Sequence, residues 1–453
     1  MNTNEMTAEN PLGTERIGKL VVKFAVPSVI SMVVNALYNV VDQIFIGQGV
    51  GYLGNGATNV IFPMTIVVIA LGLLIGDGAA AYMSLKLGQK DSNAAAKGVG
   101  SSITLMVIVG FILCLLFVLF LNPLCMLFGA TDDNLPYAID YGRIISLGVL
   151  FSVLDSGMSG IIRADGSPKY TMAGLLVGCI VNVILDPIFI FVFDFGVKGA
   201  AWATVIGQVL NAVIYFSYIW KFKSIKLTKS SFHISGKTTA RICRLGISSF
   251  ITQMSLMIVV AVSNNALVQY GKVSTYGADI PLTTMGITMK VNQIISAVLI
   301  GLSTGAQPIW GYNYGNKQSD RVKKTYRIIM VVATAVLVLA FFVFQFAPMS
   351  IVRIFGSESD LYNEFAVKCF KIFLLVCPIN AFQMVTGVFF QAIGKPVQAT
   401  VLSLSRQIVY LVPSMLLLPM ILGVDGALWA GPVADVLAFI TALVMLKIYW
   451  KKI

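Results

Sequence analysis

The sequence predicts an all-α membrane protein: twelve transmembrane helices in two six-helix lobes, the second a parallel repeat of the first. Apolar runs long enough to cross a bilayer recur from end to end of a 453-residue chain that is 57% hydrophobic and only 11% charged, with a mean hydropathy of +0.85. Soluble proteins carry roughly twice that charged fraction. The same motifs also return about 227 residues apart, the signature of a duplicated transporter domain. Gly196-Val197-Lys198-Gly199-Ala200-Ala201-Trp202-Ala203 returns as Gly423-Val424-Asp425-Gly426-Ala427-Leu428-Trp429-Ala430. Phe128-Gly129 pairs with Phe355-Gly356, and Gly78-Ala79 with Gly88 pairs with Gly305-Ala306 with Gly315. One residue further off, Ala164, Gly166 and Pro168 match Ala392, Gly394 and Pro396. Finally, lysine and arginine crowd into alternate loops.

Helices 1 to 6 are expected near 17–47, 56–84, 94–122, 135–163, 168–194 and 199–221. Helices 7 to 12 are expected near 241–269, 281–311, 322–349, 362–391, 396–421 and 425–449. Each is an apolar run, and the joints carry Gly and Pro, as in Asp165-Gly166-Ser167-Pro168 and Ile393-Gly394-Lys395-Pro396. An even number of spans per half starts both halves on the same side, so the repeats are parallel. The organisation reads as an N-terminal lobe over 1–221, a linker over 222–240 and a C-terminal lobe over 241–453.

Orientation follows from the basic loops. Lys221, Lys223, Lys226, Lys229, Lys237, Arg241 and Arg244 fall between helices 6 and 7. Lys317, Arg321, Lys323, Lys324 and Arg327 fall between helices 8 and 9, and Lys86, Lys90 and Lys97 between 2 and 3. The opposite loops are uncharged or acidic, as at Asp132 and Asp133. Both termini are therefore expected in the cytoplasm. The net charge of +12 sets topology and is no sign of nucleic-acid binding. The first sixteen residues are polar and Ile17 opens a full span, so no cleavable signal peptide is expected. The six cysteines show no metal-ligand spacing, and the single histidine, His233, lies in a polar loop.

Ionisable residues at bilayer depth cost several kcal/mol and need a reason. Asp42 lies inside helix 1, one turn after Tyr38; Asp186 lies inside helix 5, one turn after Asn182. Two carboxylates with Asn and Tyr oxygens beside them suit a proton or a dehydrated Na⁺. Pro187 cannot donate to the carbonyl of Val183, so helix 5 is expected to bend there and free a backbone oxygen beside Asp186. Asp77, between Gly76 and Gly78, reads as an interfacial residue. Asp155 of helix 4 and its repeat partner Gln383 are expected to line the central cavity. The second lobe is mainly basic at depth, with Lys290, Arg406 and one acid, Asp435. Lys290 and Arg406 could pair with Asp435, bind carbonyls or meet an anionic group.

Val41-Asp42-Gln43-Ile44-Phe45-Ile46-Gly47, the run Asn182 to Asp186-Pro187, Gly199-Ala200-Ala201 and Gly305-Ala306-Gln307-Pro308 to Gly311-Tyr312-Asn313-Tyr314-Gly315 together resemble the multidrug and toxic compound extrusion (MATE) family over essentially the whole chain. The resemblance implies two six-helix lobes in a V around a central cavity. It also implies secondary antiport of lipophilic, usually cationic drugs and toxic compounds against H⁺ or Na⁺. In the branch similar to the DNA-damage-inducible and staphylococcal multidrug exporters, the first-lobe cation site maps onto Asp42, Tyr38, Asn182, Asp186 and Thr204, all present in kind. The Na⁺-coupled branch carries acids in helices 7 and 10; this chain has Gln253, Asn380 and Gln383 there, which puts a second-lobe Na⁺ site in doubt.

The implied mechanism is alternating access, with neutralisation of the acids bending helix 1 at Pro27. Asp155, Gln253, Lys290, Asn380, Gln383 and Arg406 are the cavity candidates. Met32, Met254, Met257, Phe250 and Phe389 are further plausible contacts, since Met and aromatic side chains repack around varied ligands. The rival within the superfamily is a lipid-linked oligosaccharide flippase, whose pyrophosphate head groups would want the cavity cations. No HExxH motif supports an enzyme. The expected protein is a monomer in a bacterial plasma membrane, without cofactor, whose partners are small lipophilic cations and membrane lipids.

Overall fold

The computed structural model describes residues 10–451 apart from 51, 129, 131–133, 278 and 356–358. Gly129, Asp132, Asp133 and Gly356 therefore lie outside the described residues. In the first half the helices run Ile17–Val50, Tyr52–Gly88, Ser92–Leu119, Leu135–Ala164, Pro168–Pro187 and Val197–Ser217. The second half begins with Gly236–Gly271, Asp279–Gly315 and Ser319–Phe346 and ends with Val424–Trp450. Helices 10 and 11 between them are interrupted. Eleven helices are long and apolar enough to cross a membrane, or twelve if helix 10 is one bent span. Their outer faces present residues such as Val192, Leu127 and Ile421, each more than 70% exposed, as a lipid-facing surface would.

One expectation about continuity changes. Helix 10 is not one rod over 362–391: Asp360–Phe373 and Cys377–Ala392 meet at a 52° bend. Pro378 explains it, because it removes the donor that Leu374 would need and clashes with that carbonyl. At Pro187, where helix 5 is expected to bend, its α-turns end and a π-turn, Ile188–Val192, carries the span onward. Helix 11 has a π-segment too, Ser405–Leu411, just before Pro413. In both lobes a widened turn thus adjoins a charge at bilayer depth, Asp186 in one and Arg406 in the other, and π-turns are frequent at functional sites. Helix 1 runs unbroken through Pro27, with the Ser31 hydroxyl donating to the Pro27 carbonyl at 2.8 Å. Helix 7 starts at Gly236, inside the stretch expected to be linker.

The lobes meet at the end that carries the basic loops. A Cβ on Gly78 would overlap the Ile242 carbonyl oxygen, and one on Gly246 the Leu74 carbonyl oxygen. With lobes exchanged, a Cβ on Gly305 would stand 2.7 Å from Ala25 Cα and one on Gly301 2.5 Å from Val29 Cα. Gly88 against Tyr312 and Gly315 against Leu85 complete the seam. Of the repeated glycines, Gly78 with Gly305 and Gly88 with Gly315 are therefore points where the two halves touch backbone to backbone, across a pseudo-twofold axis. Further along, the lobes part. Gln43 repeats the phase of Ala25 on helix 1, and Lys290 nearly repeats that of Gly301 on helix 8, yet Gln43 and Lys290 are exposed. The cleft therefore opens toward the end opposite the basic loops.

The stretch Gly311 to Gly315 has a structural task. Asn313 is fully buried and donates to the Leu12 carbonyl at 3.0 Å, while Arg321 donates to the carbonyls of Leu12 (3.1 Å) and Glu15 (2.7 Å) and to Asn313 Oδ1 (2.9 Å). These bonds tie the N-terminal segment of one lobe to helices 8 and 9 of the other. Arg321→Ala is expected to cost about 2 kcal/mol, typical of bonds to a charged group, and to raise hydrogen exchange at residues 10–16 first. Unchanged exchange there would remove the tether. The linker is fixed as well. Asp165 accepts from the N–H groups of Lys223 (2.8 Å) and Ser224 (2.9 Å) and from the Tyr218 hydroxyl (2.7 Å). Burial pushes the Asp165 carboxyl up from its ordinary range, and those donors pull it back.

Candidate functional site

Helices 1, 4, 5 and 6 bring one polar cluster together in the first lobe. Helices 5 and 6 approach closely because a Cβ on Gly178 would stand 2.9 Å from the Gly207 carbonyl oxygen, and one on Gly207 2.8 Å from that of Gly178. Small residues facing each other allow this contact inside a membrane. It places Asn182 beside Gly207 and lets Asn182 Nδ2 donate to Thr204 Oγ1 at 3.3 Å. Asp186 is fully buried, and Asn182 and Thr204 nearly so. The Asp42 carboxyl lies beside the Asp186 carboxyl, and the Tyr38 hydroxyl lies beside Thr204. All five residues singled out from the sequence therefore meet in one place.

This cluster is dominated by acceptors. Both carboxyl oxygens of Asp186, Asp42 Oδ1 and Asn182 Oδ1 are buried and have no hydrogen-bond partner. Buried oxygens normally find a donor, and two facing carboxyls cannot supply one unless a proton sits between them. No lysine or arginine forms a salt bridge with either acid among the described residues. A proton or a small hard cation is the complement such oxygens require.

The sequence reading missed Tyr141. It is 8% exposed on helix 4 and stands within electrostatic reach of both Asp42 and Asp186. A signal was present: Tyr141 lies about four turns before Asp155, on the same helix face as Ser152 and Ser159.

The cavity candidates separate. Asp155 is half-buried and accepts from Asn211 Nδ2 at 2.5 Å. Gln253 of helix 7 is half-buried, as is Asn380 of helix 10, whose buried Oδ1 has no partner. Lys290 is exposed on the cleft-facing side of helix 8. Gln383 is instead buried and donates to the Leu402 carbonyl at 3.0 Å, holding helix 10 to helix 11. Of the apolar candidates, Met32, Phe250, Met254 and Met257 are half-buried, whereas Phe389 is fully buried against Trp310 and Tyr326.

Arg406 resolves to the first of its three readings. Its Nε donates to Asp435 Oδ1 at 2.8 Å, with side-chain exposures of 16% and 7%. The pair is neutral overall, which leaves Lys290 as the cleft cation from the original two. Arg406→Met would strand a buried carboxylate and is expected to cost about 3–5 kcal/mol. The double variant Arg406→Met with Asp435→Leu should recover most of that loss in thermal unfolding. No recovery would mean that the pair is not an isolated unit. Asp77 is interfacial: Ser249 of helix 7 donates to its Oδ2 at 2.7 Å, Gln391 of helix 10 donates to Ser249 at 3.0 Å, and Arg163 lies within electrostatic reach.

Comparison with known proteins agrees with this architecture. The multidrug export protein MepA of Staphylococcus haemolyticus strain JCSC1435 is 26% identical over 95% of this chain and 93% of its own. The protein of the same name from Staphylococcus aureus strain MSSA476 is 25% identical over 94% and 93%. A solved outward-facing multidrug resistance MATE family transporter of the MOP superfamily superposes with a TM-score of 0.89, at 22% identity and 97% coverage of both chains, so it shares the fold. The MatE family profile matches twice, over residues 27–188 and 247–416, one match in each lobe and each containing part of the seam. The chain is a multi-pass membrane transporter of the MATE family, in its MepA-like branch.

Proposed function

We propose that this protein exports lipophilic cations, drugs among them, in exchange for H⁺ by alternating access, with Asp42 and Asp186 as the coupling site. The observation that carries the reading is the buried contact between these two carboxyls, with four acceptor oxygens left without a donor and, among the described residues, no basic residue paired to the acids. When ionised, the pair attracts a cation into the first lobe. A proton shared between the carboxyls removes that attraction and the substrate is released. Asn182, Thr204, Tyr38 and Tyr141 orient the two acids. Na⁺ is the alternative occupant of the same oxygens. Pro27, which leaves the Lys23 carbonyl without its helical donor, is the point at which helix 1 would bend as the site neutralises.

The basic loops support a cytoplasmic position for the closed seam and both termini, by the positive-inside rule, with a bacterial plasma membrane as the proposed location. Residues 1–221 and 241–453 act as the two moving lobes of a monomer. Ethidium efflux from proteoliposomes tests the reading, with ΔpH and a Na⁺ gradient imposed separately. Efflux on ΔpH alone supports it. A strict Na⁺ requirement moves the same residues to cation ligation, and no efflux under either gradient overturns drug export.

A further inference from the structure

The first lobe holds a second buried polar pair that the coupling site does not use. Asn211 of helix 6 is 4% exposed, donates through Nδ2 to Asp155 Oδ1 at 2.5 Å, and leaves its own Oδ1 buried without a partner. Packing fixes the amide: a Cβ on Gly178 would stand 3.3 Å from Asn211 Cβ, and one on Gly174 2.9 Å from Asn211 Oδ1. Asn211 lies seven residues beyond Thr204 on helix 6, about 10 Å closer to the basic end. The titratable groups nearest the pair from the packed helices are Cys179 of helix 5 and Tyr215 of helix 6, with Asp77 of helix 2 beyond. Arg163, on helix 4 itself, is engaged by Ser159 at 2.6 Å and by Asp77, and no basic residue pairs with Asp155 among the described residues.

An ionised Asp155 can accept from the amide but offers nothing to the orphaned amide oxygen. A proton on its second carboxyl oxygen supplies that missing donor and converts one hydrogen bond into a two-bond acid–amide pair. We propose that Asp155, braced by Asn211, is a second proton-binding carboxyl of this transporter, placed between the Asp42–Asp186 pair and the basic end, through which the coupling proton leaves. The inference rests on proton coupling at Asp42 and Asp186. Two bonded groups are too few to enclose a dehydrated metal ion, so the pair is matched to a proton rather than to Na⁺.

The test is infrared difference spectroscopy of the full-length protein in lipid, titrated with pH and read at the carboxylic-acid C=O stretch. Asp155→Asn keeps an amide–amide pair and is expected to fold. It should remove one titrating band, while the double variant Asp42→Asn with Asp186→Asn retains that band. Asn211→Ala should move its frequency, because the bonded partner is gone; this variant also carries the test if Asp155→Asn does not fold. An unchanged spectrum in Asp155→Asn, loss of every band in the double variant, or an unmoved band in Asn211→Ala each overturns the proposal. Loss of a band in Asp155→Asn with none lost in the double variant would keep Asp155 as a proton site and remove the coupling role from the Asp42–Asp186 pair.

Discussion

Asp186→Asn is expected to reduce ΔpH-driven ethidium efflux to the level of protein-free vesicles while leaving insertion, yield and thermal unfolding close to those of the parent. The amide has the size of the acid and can donate to the oxygens now left bare, Asp42 Oδ1 and Asn182 Oδ1. Folding therefore has little reason to suffer. Coupling has every reason to, because the substitution removes one of the two carboxyls between which the proton is shared and leaves Asp42 to titrate alone. An attraction between unit charges about 4 Å apart is worth about 4 kcal/mol at an effective dielectric near 20, close to a thousandfold in affinity. A cation should accordingly bind the variant far more weakly, and the pH dependence of its affinity should shrink to that of Asp42 alone. Isothermal titration with ethidium over a range of pH separates this from misfolding. Full efflux by the variant would end the case for Asp186.

Asp42→Asn should behave in the same direction, since the two carboxyls share one contact. Its side chain is half-buried where Asp186 is fully buried, so water can replace part of the lost interaction. The smaller defect belongs to the more accessible partner.

Much of this architecture was legible in the sequence because a membrane leaves few options. Long apolar runs must be helices, since each backbone polar group has to be satisfied within its own segment. The meeting of Asp42 and Asp186 was legible because a carboxylate in an apolar run needs a reason and both acids sit in such runs. Contacts set by distant backbone were not. Nothing local to Arg406 reveals Asp435 as its partner, and nothing local to Gln383 shows that Leu402 offers it a carbonyl. Tyr141 escaped because tyrosine is unremarkable in a helix until its neighbours across the lobe are known. The bend in helix 10 could have been found from Pro378, whose effect on the carbonyl four residues earlier is as local as that of Pro187. The role of Gly78, Gly88, Gly305 and Gly315 was the least visible: the repeat marks them, but only the packing of the two halves shows that each lies against backbone of the other half.

The seam these glycines help to form gives the second large expectation. Gly246→Ala should drive the protein out of the state in which the basic end is closed. The new methyl group would overlap the carbonyl oxygen and carbonyl carbon of Leu74, which belong to the backbone of a continuous helix and cannot rotate aside. Relief requires helices 2 and 7, hence the two lobes, to separate. Overpacking of this kind costs about 1–3 kcal/mol, enough to change a two-state ratio by about five- to 150-fold. Any state in which helices 2 and 7 part at this point escapes the penalty. Spin labels at Asn93 and Lys324, both exposed and on opposite lobes, should therefore report a longer distance in the variant, with slowed turnover. Gly286→Ala is the control, because a Cβ there meets nothing within 4 Å and the distance distribution should not move. A distribution in Gly246→Ala identical to that of the parent would mean that the seam tolerates a side chain and does not hold the lobes shut.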